Sequence, residues 1–316
     1  MKTIKIFAYA LMATSGVLLT SCGSDDSGGS LPPIGGYNSA DEVAASDLLA
    51  YWPLNGDGKE EKSSTMPSNT VGASWIEGKK GQGLHLNSGF LDYPSIAALN
   101  GSNTGITISC WAKITNQKTT PDAVSTISPI ISFAGGPNGN VGNLALFGNT
   151  HGLVSSDSIQ MKAEYHFMKP DGTDFNGDCV NMTKMESWMI SDNAANNGTT
   201  PLHAAFPNKI GGQWAHIVFT YDGNTAKVAM YVNGEKISNP AWEDRTNNNT
   251  VALPLPIAFF QPSHPIIGAL PSIANGTNVE TWNGALKGEV DEIRVYKKAL
   301  ILSDVRALYQ LESAGR

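Results

Sequence analysis

Period-two alternation is clearest over residues 106–114. Ile106, Ile108, Cys110, Ala112 and Ile114 fall on one side of an extended chain, and Thr107, Ser109, Trp111 and Lys113 on the other. The pattern predicts a strand with one face in a core and the other carrying a tryptophan. Residues 214–221, 227–232 and 235–237 are three more apolar runs, separated by Asp222-Gly223-Asn224 and by Asn233-Gly234. They predict an antiparallel meander. Asn-Gly suits a type I′ hairpin because both central residues need positive φ, which sets Tyr231 and Val232 against Glu235 and Lys236. Runs at 48–54, 83–86 and 288–296 end in turn residues and read as further strands. Trp111 and Trp214 belong to these strand patterns and are expected to be more deeply packed than a loop tryptophan. Residues 303–309 read as a short closing helix, with Ser303 as N-cap and Val305, Leu308 and Tyr309 on one face.

Between 116 and 209 the pattern breaks. Short strands at 127–133 and 144–147 are followed by polar, Asn-rich sequence, which predicts a long insertion holding its own short strands, and loops of that size are commonly functional.

Composition narrows the class. Of 316 residues, 33 are Gly and 17 are Pro, and only 16% are charged, against a usual share of about 25%. A turn-rich, weakly charged chain of strand-length runs is all-β. The net charge of −7 leaves no broad electrostatic footprint for nucleic acid. The six histidines are scattered without a His-x-x-x-His, no Cys-x-x-Cys occurs, and neither a phosphate-cradling glycine loop nor a Gly-x-Ser-x-Gly elbow is present.

The N-terminal segment reads as an address. Lys2 and Lys5 precede an apolar stretch at 6–19, shorter than the roughly 20 residues of a membrane span and suited to a secretory signal. It ends in Leu19-Thr20-Ser21-Cys22, which resembles the bacterial lipobox, so residues 1–21 are expected to be a lipoprotein signal peptide and Cys22 the lipidated residue. Residues 22–45 are too poor in apolar side chains to order themselves and are expected to form a flexible tether. Asp25 and Asp26 behind the cysteine resemble the surface-export signal of Bacteroidetes lipoproteins, implying a lipid-anchored protein exposed on the outer membrane. The folded domain is expected over 46–316. Cys110 and Cys179 remain, either bridged or as buried thiols.

Six segments together resemble the laminin G-like group of the concanavalin A-like lectin/glucanase superfamily. They are Leu49-Ala-Tyr-Trp-Pro-Leu54, Gly78-Lys-Lys-Gly-Gln-Gly-Leu-His-Leu86, the strand at 106–113, the stretch 214–223, the strand and turn at 228–234, and Gly288-Glu-Val-Asp-Glu-Ile-Arg-Val-Tyr296 with its closing helix. The resemblance covers about 48–115 and 210–312. It implies a jelly-roll sandwich of two antiparallel sheets.

Function follows from three sets of residues. Glucan-cleaving members of that superfamily carry Glu-x-Asp-x-x-Glu or Glu-x-Asp-x-Glu on one strand, because hydrolysis needs two carboxylates across the bond. Here the string is Glu289-Val-Asp291-Glu292-Ile-Arg294, which lacks the last acid; Glu292 is placed to pair with Arg294 or with a lysine on a neighbouring strand. The expectation is therefore a non-catalytic module for poly- or oligosaccharide, with a glycoside hydrolase or polysaccharide lyase whose acids lie in the insertion (Asp171, Asp174, Glu186) and a protein-adhesion module as alternatives. Stacking rings beside polar groups mark the candidate glycan site: Trp188 with Asp192 and Asn193, Tyr165, and Trp242 with Glu243 and Asp244. Asp171, Asp174, Asn176 and Asp178 present oxygens at short intervals among glycines and are candidate calcium ligands. The resemblance implies a second calcium position between Asn55 or Asp57 and Asp291. Proteins of a glycan-uptake system are the expected macromolecular partners.

Overall fold

The computed structural model describes residues 31–116, 120, 126–149, 157, 159–180, 209–238, 243–246 and 251–316. Thirteen strands are formed by these residues: β1 (Leu48–Trp52), β2 (Asn69–Glu77), β3 (Gln82–Asp92), β4 (Gly105–Ile114), β5 (Ser128–Phe133), β6 (Leu144–Gly148), β7 (Lys162–Met168), β8 (Asp174–Val180), β9 (Ala215–Asp222), β10 (Lys227–Val232), β11 (Glu235–Lys236), β12 (Pro265–Ile267) and β13 (Leu286–Tyr296). Two helices accompany them, α1 (Pro271–Ala274) and α2 (Leu302–Ser313). No helix among the described residues is long and apolar enough to cross a membrane.

The strands form a curled antiparallel sandwich. One sheet runs β11-β10-β9-β4-β13, and β3 leads from β13 through β12 into the second, β5-β6-β7-β8. β13 is flanked first by β3 and then by β1, and the change of partner falls at a register shift between Asp291 and Arg294, where Glu292 has φ of 50°. The meander forms as its turn residues require: Tyr231 faces Lys236 and Val232 faces Glu235, with positive φ at Asn233 and Gly234.

The core lies between the sheets. Ile106, Ile108, Cys110, Ala112 and Ile114 enter it from β4, and Ile217, Phe219 and Tyr221 from β9. From the second sheet come Leu144, Leu146, Ala163, Tyr165 and Phe167. Cys110 and Cys179 are both buried and unbridged, and burial pushes the Cys179 thiol up to about 12, which leaves it inert.

Three expectations need correction. Residues 116–209 are more than an insertion, since β5 to β8 within them build the second sheet. β5 and β6 are buried on both faces, so they lack the alternation that marks a half-buried strand. The compact unit begins already at Pro33, not Ser46, because Ile34, Tyr37, Ala40 and Val43 pack against Val305, Leu308 and Leu311 of α2. Ser303 lies inside the first turn of α2, whose N-cap is Ile301. Trp214 is only half buried, whereas Trp111 is covered by α2.

That cover is polar. Arg294 is fully buried and donates Nε to Glu312 (2.9 Å) and Nη2 to Glu292 (2.8 Å), forms an ion pair with Asp41 through Nη1 (3.0 Å), and sets its guanidinium 3.9 Å from the Tyr51 ring centre. Trp111 Nε1 donates to Glu312 at 2.7 Å. Burial pushes the Glu312 carboxyl up to about 7 and holds His216, packed beside Trp111, down to about 3.

Candidate functional site

The outer faces of the two sheets differ. On the first, α2 and the N-terminal residues cover the strands. On the second, Ile127, Val141 and Leu270 cluster with Ala145 and Phe147 of β6, whereas β7 and β8 carry polar, partly exposed side chains on their outer face. The reason is local. In β7 the sequence alternates Ala163, Tyr165, Phe167 inward with Lys162, Glu164, His166 outward, and the β8 register sets Asp178 beside Glu164 and Asn176 beside His166.

These outward groups form a connected array. His166 Nδ1 lies 2.9 Å from Asp174 Oδ2, which also accepts from Asn176 Nδ2 at 2.8 Å. Asn138 Nδ2, in the β5–β6 connection, reaches His166 Nε2 at 3.1 Å. An amide nitrogen only donates, so Nε2 accepts from Asn138 and Nδ1 directs its proton at Asp174. Lys162 Nζ sits between Glu164 (2.8 Å) and Asp178 (3.2 Å).

The array continues over the loop that joins α1 to β13. Asn138 Oδ1 accepts from the backbone N–H of Asn140 at 3.1 Å, and Asn140 Oδ1 accepts from Asn283 Nδ2 at 3.1 Å. Asn283 Nδ2 also reaches Ser272 Oγ and Asn278 Oδ1. Asn278 Nδ2 in turn donates to the Glu280 carbonyl, and the Glu280 carboxylate holds Trp282 Nε1 at 3.0 Å. Trp282 is 38% exposed, the one tryptophan among the large apolar side chains that stand out in the described residues. The result is a solvent-facing indole fixed at its nitrogen, at one end of a chain of amides, carboxylates and an imidazole. Sequence reasoning missed it. The signal that selected Trp188 and Trp242, a loop tryptophan with an acid close by, is equally present in Glu280-Thr-Trp282.

The sequence-derived sites fare differently. Tyr165 is in the core, stacked at 4.9 Å on Phe167 and packed on Phe175 and Phe219, so its ring has no face open to a sugar. Trp188, Asp192, Asn193 and Trp242 lie outside the described residues, as do Cys22, Asp25, Asp26 and Glu186. Asp174, Asn176 and Asp178 are on a strand, where alternate residues are about 7 Å apart. Asp174 Oδ2 takes Asn176 Nδ2 and His166 Nδ1 and Asp178 pairs with Lys162, so the three do not turn a common set of oxygens to a cation. Asp171, in the turn before them, is exposed and spends Oδ1 on the Thr173 N–H and hydroxyl, which hold its carboxyl below the usual range.

Asp291 is likewise spoken for. Its Oδ2 accepts the N–H groups of Lys79 (2.7 Å) and Lys80 (3.0 Å), and Oδ1 accepts that of Glu292. Asn55 Oδ1 takes Gln82 N–H on the same β2–β3 turn, and Asp57 Oδ1 takes Lys59 N–H. The two pins fix the turn, and Asp57 joins neither, so the donor set does not fit a calcium ion. No group of three His, Cys, Asp or Glu side chains among the described residues is arranged to hold a metal. Burial pushes the Asp291 carboxyl up to about 7. Glu289 is held by Lys113 at 3.0 Å, and Glu292 pairs with Arg294 and, at 3.8 Å, with Lys80. A carboxylate sealed by three N–H donors cannot face a scissile bond across from Glu289.

A family model described as the concanavalin A-like lectin/glucanases superfamily matches residues 87–306. No curated protein matches the chain. Among solved structures it is similar to domain 4 of a GH43 extracellular arabinanase from Geobacillus stearothermophilus, in complex with arabinotriose, with 18% identity, 84% of this chain and 98% of that one covered, and a TM-score of 0.46. It is also similar to the binding domain of Paraclostridial Mosquitocidal Protein 1 (16% identity, 84% of this chain, 52% of that one, TM-score 0.47). A third is Trypanosoma rangeli sialidase (16% identity, 84% and 33%, TM-score 0.45).

Proposed function

This chain belongs to the concanavalin A-like lectin/glucanase superfamily, and from that premise we propose that it is a non-catalytic carbohydrate-binding module of a lipid-anchored surface protein, taking an oligo- or polysaccharide along the outer face of the second sheet. The observation that carries the reading is Trp282. Its indole is open to solvent, fixed by Glu280, and continuous with Asn278, Asn283, Asn140, Asn138 and His166 through hydrogen bonds. A pyranose has an apolar side and a rim of hydroxyls. It therefore needs one aromatic plane and several groups that both donate and accept. Amides do both: Asn138, Asn140 and Asn278 are partly exposed and can meet a guest, while the buried Asn283 ties them together.

A binding role fits better than hydrolysis because the acids of the final strand are spent on the fold. Asp291 pins a turn, and Glu292 serves the Arg294 cluster. The lipid anchor rests on Cys22 and the residues before it, and the anchored protein is assigned to the outer membrane surface, where polysaccharide and the proteins that import it meet.

The test is a glycan-array screen of residues 33–316, followed by Trp282→Ala. Loss of one stacked ring is expected to weaken binding about tenfold, roughly 1.4 kcal/mol, with the melting temperature unchanged because the ring is not core. A cooler melt with undiminished binding would make Trp282 a packing residue.

A further inference from the structure

We propose that the glycan taken by this face is neutral, and that sugars bearing carboxylate or sulfate are rejected. The inference rests on the binding reading above and adds the class of ligand. Along the array the described residues carry five carboxylates, those of Glu164, Asp171, Asp174, Asp178 and Glu280, against the ammonium groups of Lys162 and Lys169.

Each ammonium already has a carboxylate beside it. Lys162 is clamped between Glu164 and Asp178, and Lys169 lies 3.8 Å from Asp171. His166 presents its Nε2 lone pair to Asn138 and its Nδ1 proton to Asp174. Arg245, beside β8, donates to the Asp178 carbonyl, and its charge acts on the inward Tyr165 and Cys179 and on Asp244. An anionic sugar is recognised by a forked guanidinium or an open ammonium that its carboxylate can reach. Here it would meet a surplus of its own sign, whereas the hydroxyls of a neutral sugar can donate to those same carboxylates. Like charges across a binding surface suppress the wrong partner without weakening the right one.

The experiment uses matched polymers. A mixed-linkage β-glucan and a galactomannan are each compared with their own C6-carboxylated form by calorimetry on the 33–316 domain, at about 20 mM and about 300 mM salt. The expected result is retention of a neutral polymer and at least tenfold weaker binding of its carboxylated form at low salt. The difference should shrink at high salt, where the screening length falls below about 10 Å. Asp178→Asn, which removes one of the two acids on Lys162, should narrow the low-salt gap. Equal or tighter binding of the carboxylated form overturns the charge selection and leaves the binding reading standing. Binding of neither polymer, nor of any neutral glycan on the array, removes both.

Discussion

Replacing Arg294 by Met removes the guanidinium that Glu292 and Glu312 share beneath α2. Both carboxylates are fully buried, so the variant strands two acids where water cannot reach them. Breaking a buried pair costs about 3–5 kcal/mol. The Tyr51 hydroxyl and the partly exposed Lys80 remain on Glu292, and Trp111 Nε1 on Glu312, which places the loss near the lower end, about 3 kcal/mol. At roughly 2–4 °C per kcal/mol for a domain of this size, the melting temperature should fall by about 6–12 °C. The sign with pH is fixed. A carboxyl whose folded pKa is raised stays protonated in the native state after the unfolded chain has released its proton, so stability falls as pH rises. For Glu312 in the intact protein that window runs from its ordinary value near 4.5 up to about 7. Without Arg294, whose charge holds it down, the folded pKa of Glu312 climbs further, so the deficit should be larger at pH 8 than at pH 5. Calorimetry at the two pH values measures it, and Arg294→Met combined with Glu292→Gln and Glu312→Gln should recover much of the loss. A shift under about 2 °C, or the same deficit at both pH values, would refute the stranded-charge argument. Glycan retention should be unchanged, since the cluster lies on the other sheet's outer face.

Two further outcomes are expected. Cys22→Ala should abolish acyl labelling and move the protein out of the membrane fraction; labelling that persists would place the anchor elsewhere. Melting curves with calcium and with chelator should superimpose, because Asp291 is committed to three N–H donors and Asp174, Asn176 and Asp178 alternate along a strand; a bound ion at a hundredfold excess over its Kd would add about 2.7 kcal/mol and separate them.

What the sequence determined by itself is local. Period-two alternation placed β4 and its core face, and Asn233-Gly234 fixed the register of β10 and β11, because a strand's side-chain period and a turn's φ requirement act over a few residues. The pairing of Glu292 with Arg294 was legible for the same reason, whereas the lysine that joins it, Lys80, comes from the β2–β3 turn and not from a neighbouring strand. Tertiary structure decided the rest. β5 and β6 are buried on both sides and carry no alternation, so that they complete the second sheet depends on partners far along the chain. Tyr165 and His166 are neighbours in sequence, yet one fills the core and the other joins the surface array; only the facing of β7 against the first sheet settles which. The string 171–178 has calcium-like spacing as a loop, but the register of β8 on β7 extends most of it and parts its oxygens. Trp282 and His166 are 116 positions apart by their numbers in the chain. They meet in one array because Asn283, Asn140 and Asn138 bridge the loop behind α1 to the β5–β6 connection, and no spacing rule reaches across a chain closed by folding.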